Sequence, residues 1–435
     1  MDTSLLSGWF SWLIAGLGLL GAAFLLARRE RWWWLYLVPS VLVVCGIAAW
    51  LLGTIGGQRL FAAPLKTSDI VFIGVSLSAI ALAVGNFFRT PWWRKVLAVI
   101  AAILVVAAAG NQINKSYQEY PTVQDLFGPT ADSGQATQLS RDPAVPDTPT
   151  GTPLTATWIP RGAGIPADGK GKLQAFEIPD TTSGFTARPG WVYLPPAYFA
   201  DNKEPLPVLV LMHGQPGGPD DWITGNRLQG VMDDFAAQHN GIAPVVVVPD
   251  VLGSSLANPL CADSTLGNAD SYLAKDLPNA ITKQLNVSTD HRQWAVGGFS
   301  YGGTCSLQLA TNHPDIYPTF IDIEGQAEPT LDEGTNGRTT TVDTAFGGDE
   351  SKFTAINPAD LLRQEKFPDS AGWFIWGETD PDAAAALQSL AQLATDAGMT
   401  IKTWQAPATG HDWGTALLGL SQVMPWLATR TGLTP

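Results

Sequence analysis

The pentapeptide Gly298-Phe299-Ser300-Tyr301-Gly302 follows the apolar run Trp294 to Val296 and precedes the helix-forming stretch Cys305 to Ala310. A strand, a tight turn and a helix in that order lift a serine hydroxyl clear of its neighbours, because the glycines relieve crowding around a strained backbone. Ser300 is therefore a candidate nucleophile. In a chain with 44 Gly such a pentapeptide arises readily by chance, so the reading depends on partners. Two follow in order: the apolar run Trp373 to Trp376 ends in Gly377-Glu378-Thr379-Asp380, and the run Met399 to Trp404 leads to Gly410-His411-Asp412-Trp413.

Attack on an ester carbonyl needs a nucleophile, a base to take its proton, an acid to orient that base, and donors for the oxyanion. Of five histidines, His213 opens the loop after a central apolar run, and His239, His291 and His313 fall at helix or loop ends. Only His411 follows the last strand, and it is the expected base. Asp380 is the expected acid, with Glu378, Asp382 and, after the preceding strand, Glu324 as competitors. The oxyanion donors are expected to be the backbone N–H groups of Tyr301, next to the nucleophile, and Gln215, in His213-Gly214-Gln215-Pro216-Gly217-Gly218. His213, Asp221 and Trp222 are expected to contact substrate; the alternative for Asp220, Asp221 and Trp222 is a helix cap.

These residues need a frame. Strands are predicted at Leu173 to Ile178, Trp191 to Leu194, Val208 to Met212, Pro244 to Val248, Gln293 to Val296, Thr319 to Ile323, Trp373 to Trp376 and Thr400 to Trp404. Several are unbroken Val, Ile and Leu runs, which suit strands buried on both faces and hence a mostly parallel sheet under helices. Helices are predicted at Leu228 to His239, Ser271 to Leu285, Tyr301 to Asn312, Asp382 to Ala397 and Trp413 to Ala428.

The N-terminal third is different. Leu5 to Ala27, Trp33 to Ile55 and Ile70 to Phe88 are apolar runs without internal charge, each near the roughly 20 residues that span hydrocarbon. A fourth run, Val96 to Gly110, is shorter and would need Arg94 and Lys95 to snorkel. Tryptophans at the ends of these runs suit the interface. Arg28, Arg29 and Arg31 crowd the first connection and Arg89, Arg94 and Lys95 the third, so the positive-inside rule makes both cytoplasmic and puts the C-terminal region on the other side. A cleaved signal peptide fits poorly, because Asp2 precedes the first apolar run and the arginines follow it.

Residues 1–109 carry a net charge of +5, which leaves −19 of the total of −14 to the remainder. That acidic part is repelled by phosphate backbones and argues against nucleic acid. Domains are expected at 1–110 (membrane helices), 111–160 (a tether rich in Pro, Thr and Asp) and 161–435 (the catalytic region). Cys45 lies in a span, which leaves Cys261 and Cys305 as a candidate disulfide in an oxidising compartment. No closely spaced histidine pair, Cys-x-x-Cys or phosphate-binding Gly-Lys-Ser/Thr occurs, so neither metal nor cofactor is expected.

From about Phe185 to Leu427 the chain resembles the esterase branch of the α/β-hydrolase superfamily, which contains esterase D-like enzymes and secreted actinobacterial mycolyltransferases. His213-Gly214, Gly298-Phe299-Ser300-Tyr301-Gly302-Gly303 and Gly410-His411-Asp412-Trp413 carry the likeness. It implies an α/β-hydrolase fold with a Ser-Asp/Glu-His triad, carried by Ser300, Asp380 and His411, and an acyl-enzyme. The chain departs from mycolyltransferases in its multi-span N-terminus and in His213, where they carry aspartate. The leading expectation is a membrane-anchored extracytoplasmic serine esterase acting on a lipid, glycan or envelope ester. Transfer to a sugar or lipid hydroxyl is the alternative mechanism, and a non-catalytic binding module the alternative class.

Overall fold

The computed structural model describes residues 3–57, 65–127, 152–332, 334 and 336–435. The chain divides into two compact units, one holding the N-terminal helices and the other the sheet.

Four helices make up the first unit: α1 (Gly8–Leu26), α2 (Trp33–Gly56), α3 (Thr67–Gly85) and α4 (Trp92–Tyr117), each long and apolar enough to cross a membrane. Large apolar side chains such as Leu19, Val44 and Ile103 face outward, as expected where the solvent is lipid. Small residues face inward. A Cβ on Gly18 would lie 2.4 Å from Ala108 Cβ and one on Gly21 2.7 Å from the Ala101 carbonyl, so α1 and α4 approach closely. Polar groups cluster where α1 ends and α4 begins. Asn86 donates to the Leu25 carbonyl and accepts from Arg94, and the buried Arg28 pairs with Glu30 and stacks on Trp33.

Helix α4 corrects an expectation. It runs 26 residues, past the predicted end at Gly110, because Asn111 is buried with its amide donating to the Leu5 carbonyl and Ser11 Oγ. The expected tether is also structured at both described ends: α4 takes its start, Thr122 bridges to Ser4, and Leu154 and Trp158 join the core of the second unit. Residues 128–151 of the tether, together with Asp2 and Arg59, lie outside the described residues.

The second unit is built on an eight-stranded sheet. Its strands are β1 (Lys172–Phe176), β2 (Gly190–Leu194), β3 (Val208–Met212), β4 (Val245–Val248), β5 (Trp294–Phe299), β6 (Thr319–Ile323), β7 (Ala371–Gly377) and β8 (Thr400–Ala406). The spatial order is β1-β2-β4-β3-β5-β6-β7-β8, antiparallel at β1-β2 and β2-β4 and parallel from β4 onward. All eight predicted strands are present. Strands β2 to β7 are buried along their length, because helices cover both faces of a parallel sheet. This is the α/β-hydrolase fold, and it brings the C-terminal ends of the parallel strands to one edge, where loops collect functional groups.

The helices of this unit are α5 (Arg227–Ala237), α6 (Ala269–Ser271, Tyr272–Asp276 and Leu277–Gln284), α7 (Tyr301–Asn312), α8 (Gly337–Phe346), α9 (Glu350–Thr354), α10 (Pro358–Gln364), α11 (Pro381–Asp396) and α12 (Trp413–Arg430). The sequence does not announce α8 to α10. Their apolar residues are few, and Val342, Ala345, Phe346 and Phe353 gain burial by joining Leu260 and Ala262 in a satellite core. Arg338 ties the region together through Glu328, Glu350 and Asp360.

Helix α7 ends at His313, whose Nε2 lies 2.8 Å from Asp270. Burial opposes a charge there, but the Asp270 carboxylate, aided by Asp315, outweighs it and raises the His313 pKa. A cation at this end also suits the helix dipole. The raised value makes the pair's stabilisation complete below the unfolded histidine pKa and lost as pH rises through the folded one. Asp270→Asn should therefore cost on the order of 1 kcal/mol near pH 5.5 and little near pH 9, as read from urea unfolding at the two pH values.

Candidate active site

Ser300 stands between β5 and α7 with φ 58° and ψ −120°, a conformation that non-glycine residues seldom adopt and that functional sites retain. Its N–H donates to the Ile323 carbonyl at 2.8 Å. The glycines around it are required by contact. A Cβ on Gly298 would meet Gly302 at 2.4 Å, and one on Gly302 would meet the carbonyl oxygens of Met212 at 2.4 Å and His213 at 2.9 Å. The turn is packed backbone to backbone.

His411 follows β8 and is fixed from both sides. Asp412 caps α12 by accepting from Gly414 and Thr415, its other oxygen takes the Gly410 N–H, and Thr415 Oγ1 donates to the Gly410 carbonyl. The imidazole then lies with Nε2 2.9 Å from Ser300 Oγ. Its ring packs on Phe299, whose own ring meets Trp413.

Two carboxylates face the other edge of that imidazole. Glu324 Oε2 is 3.3 Å from Nδ1 and its side chain is fully buried, whereas Asp380 Oδ2 is 3.9 Å away. Glu324 sits just past β6 with φ 56°, and its Oε1 accepts the Gly377 N–H at 2.5 Å. Asp380 is committed elsewhere: its Oδ1 caps α11 by accepting from Ala383. The structure thus sets Glu324, and not the expected Asp380, within hydrogen-bonding distance of the histidine. Glu378 turns away to accept from Ala408. Among the described residues Glu324, Asp380 and His411 are also the one group with metal-like spacing, their donor atoms lying within 4.8 Å of one another. Each carboxylate already has a backbone donor that aims it, and His411 spends its second nitrogen on Ser300.

The two expected oxyanion residues lie beside this centre. Tyr301 is the first residue of α7, so its N–H is among those a helix leaves unpaired. Gln215 follows Gly214, where a Cβ would lie 3.4 Å from Ser300 Cβ. The Gln215 loop is held from behind by groups outside the expected site. Buried Asp250, after β4, receives Arg188 through Nε and Nη2, and the same guanidinium donates to the Gly217 carbonyl and Ser255 Oγ. Although burial opposes it, the hydrogen bonds from Arg188 keep the Asp250 carboxyl well below the ordinary range. An acidic residue directly after the Val245-Val246-Val247-Val248-Pro249 run was the available signal.

Two of the three expected substrate contacts, His213 and Trp222, are corrected. His213 is fully buried, with Nδ1 2.8 Å from the Gly214 carbonyl and Nε2 receiving the Val251 N–H. Trp222 is fully buried too, its indole donating to the Met212 carbonyl and packing edge-on against Trp413. Asp221 accepts the Gly218 N–H and so shapes the loop it belongs to. His213 and Trp222 thus lie beneath the site, while Asp221 stays partly exposed beside it.

Cys261 and Cys305 form a disulfide with Cα atoms 5.7 Å apart. The Cys261 N–H also donates to Tyr301 Oη, and Gln308 donates to the Cys261 carbonyl. The loop is thereby fastened to α7 at three points.

Comparison with known proteins matches residues 186–398 to the family described as "Putative esterase". An uncharacterized protein of Corynebacterium glutamicum is 39% identical over 373 residues, covering 83% of this chain and 82% of that protein. Similar solved structures include a ferulic acid esterase (16% identity, 60% of this chain and 99% of that one, TM-score 0.49). Others are an S-formylglutathione hydrolase from Agrobacterium tumefaciens (16%, 60% and 96%, 0.49) and the Mycobacterium tuberculosis protein MPT51 (19%, 59% and 98%, 0.43). The chain belongs to the "Putative esterase" family, and it is a serine hydrolase acting on esters.

Proposed function

We propose that the enzyme is a membrane-anchored, extracytoplasmic esterase whose triad is Ser300, His411 and Glu324. The observation that carries the reading is the continuous line from Ser300 Oγ through His411, 2.9 Å on one side and 3.3 Å on the other, to a buried carboxylate. In the reaction His411 Nε2 takes the Ser300 proton as Oγ bonds to the ester carbonyl carbon. Negative charge gathers on the former carbonyl oxygen, where the N–H groups of Tyr301 and Gln215 receive it. Glu324 pairs with the imidazolium. Collapse breaks the bond to the alcohol, which leaves with the proton from His411, and the acyl group stays on Ser300. Water, deprotonated by His411, then repeats the sequence and releases the acid.

Four apolar helices support the anchor. The basic residues of the first and third connections, and a disulfide of the kind that persists in oxidising compartments, support an outward-facing catalytic unit. An anchor of this kind raises the local concentration of substrates in the bilayer or envelope. A membrane-impermeant fluorophosphonate applied to intact cells should label the wild type and not Ser300→Ala. Labelling that appears only after lysis would overturn the orientation, and labelling that persists in the variant would overturn the nucleophile. Adding sugar or lipid alcohols to the purified enzyme and measuring new ester against free acid separates transfer from hydrolysis.

A further inference from the structure

Asp322 lies in the middle of the sheet, in β6, with no exposed surface. Its register partners are Gly298 on β5 and Phe374 on β7, neither of which titrates. The side chain occupies space vacated by two glycines. A Cβ on Gly303, in the first turn of α7, would lie 2.5 Å from Oδ1, and one on Gly325 would lie 2.2 Å from the same atom. Oδ1 accepts the Gly325 N–H at 2.9 Å, and Oδ2 has no hydrogen-bond partner.

The place of that bond gives it a role. Gly325 directly follows Glu324, whose φ of 56° turns the chain out of the sheet toward His411. The Glu324 N–H is held by the Ile375 carbonyl, and the Gln326 N–H by Thr304 on α7. Asp322 supplies the bond between those two. Without it the peptide that follows Glu324 would carry an unsatisfied buried N–H, and a backbone rotation to satisfy it would swing the carboxylate off the imidazole. An ionised Asp322 would leave a charged oxygen buried without a partner, which is far more costly than a neutral one. It would also set a second negative charge beside Glu324.

We propose that Asp322 is a positioning residue that works as a neutral acid, fixing the Glu324–Gly325 turn while leaving Glu324 the charge nearest the histidine. The proposal rests on Glu324 being the triad acid. Burial, with a smaller contribution from the Glu324 charge, pushes the Asp322 carboxyl up to about 8, opposed by the Gly325 N–H. Across the pH range between an ordinary carboxyl and that value the folded chain binds a proton that the unfolded chain has released, so stability falls as pH rises. Above it the site itself acquires the unwanted charge.

The test uses the full chain in detergent and hydrolysis of p-nitrophenyl butyrate from about pH 6 to pH 10, with thermal unfolding alongside. Asp322→Asn keeps the acceptor and cannot ionise. It is expected to stay within about threefold of wild-type kcat at pH 7 and to lack the decline in kcat that the wild type shows as pH passes about 8. Its Tm should also fall less between pH 5 and pH 8 than that of the wild type. Asp322→Ala should lose at least about tenfold in kcat with KM nearly unchanged. Identical alkaline limbs in wild type and Asp322→Asn would overturn the proposal, as would a loss in Asp322→Asn at pH 7 as large as in Asp322→Ala. If Asp322→Ala does not fold, the comparison of wild type with Asp322→Asn decides. Full activity in Glu324→Gln would instead sink the triad assignment, which separates the two failures.

Discussion

Ser300→Ala is expected to lower kcat/KM for a simple ester by about 10⁶-fold, leaving the residual rate supplied by binding and the oxyanion donors. The size of the effect follows from what the hydroxyl does: it is the group that His411 Nε2, 2.9 Å from Oγ, is placed to deprotonate. Substrate affinity should change little, because alanine keeps the Cβ and removes only the reacting atom. A second substitution separates chemistry from folding. Ser300→Gly removes the same hydroxyl and also relieves a backbone held at φ 58°, so it should be as inactive as alanine yet more stable by about 1 kcal/mol. Hydrolysis assays and denaturant unfolding on the three proteins check both statements. Equal stability of the glycine and alanine variants would show that the elbow holds no strain.

Glu324→Gln is the second large effect, with an expected loss of about 10⁴-fold in kcat and little change in KM. Glutamine preserves size but presents the imidazolium with no negative charge, and its amide can hold the ring in the wrong tautomer. Asp380→Asn is the informative control. Its Oδ2 is 3.9 Å from Nδ1 and its Oδ1 is occupied by the cap of α11, so asparagine, itself a good N-cap, should cost less than about tenfold. The opposite ranking would return the acid's role to Asp380. Equal losses in both variants would point to two carboxylates sharing one task.

Much of this molecule could be read from residues alone, because the strands are short Val, Ile and Leu runs whose burial on both faces leaves little choice of fold. Strand β3 and helix α7 fall where the runs place them, at Val208–Met212 and Tyr301–Asn312. The acid was harder. Asp380 and Glu324 each follow a strand, and only the convergence of β6, β7 and β8 decides which reaches the histidine. A local signal did exist: Asp380-Pro381 is an N-cap followed by proline at the first helical position, a pairing that already gives the carboxylate a task. Charged residues inside Thr319-Phe320-Ile321-Asp322-Ile323-Glu324 were the complementary signal, since a carboxyl in a buried strand is seldom idle. The placement of His213 and Trp222 is hidden for a different reason. Their residue types suit binding, but whether a side chain points into a cleft or beneath it depends on the path of the loop, which composition does not encode. Helices α8 and α9 are not legible because their stability comes from a distant loop and a web of ion pairs rather than from their own periodicity.

At Gly302 the nucleophile's turn rests against the carbonyls of Met212 and His213 with no room for a single methyl group. The turn that carries Ser300 and the loop that leads to Gln215 are therefore keyed into each other, like two cut stones without mortar. Natural drift and laboratory selection alike are barred from adjusting one half while leaving the other at rest.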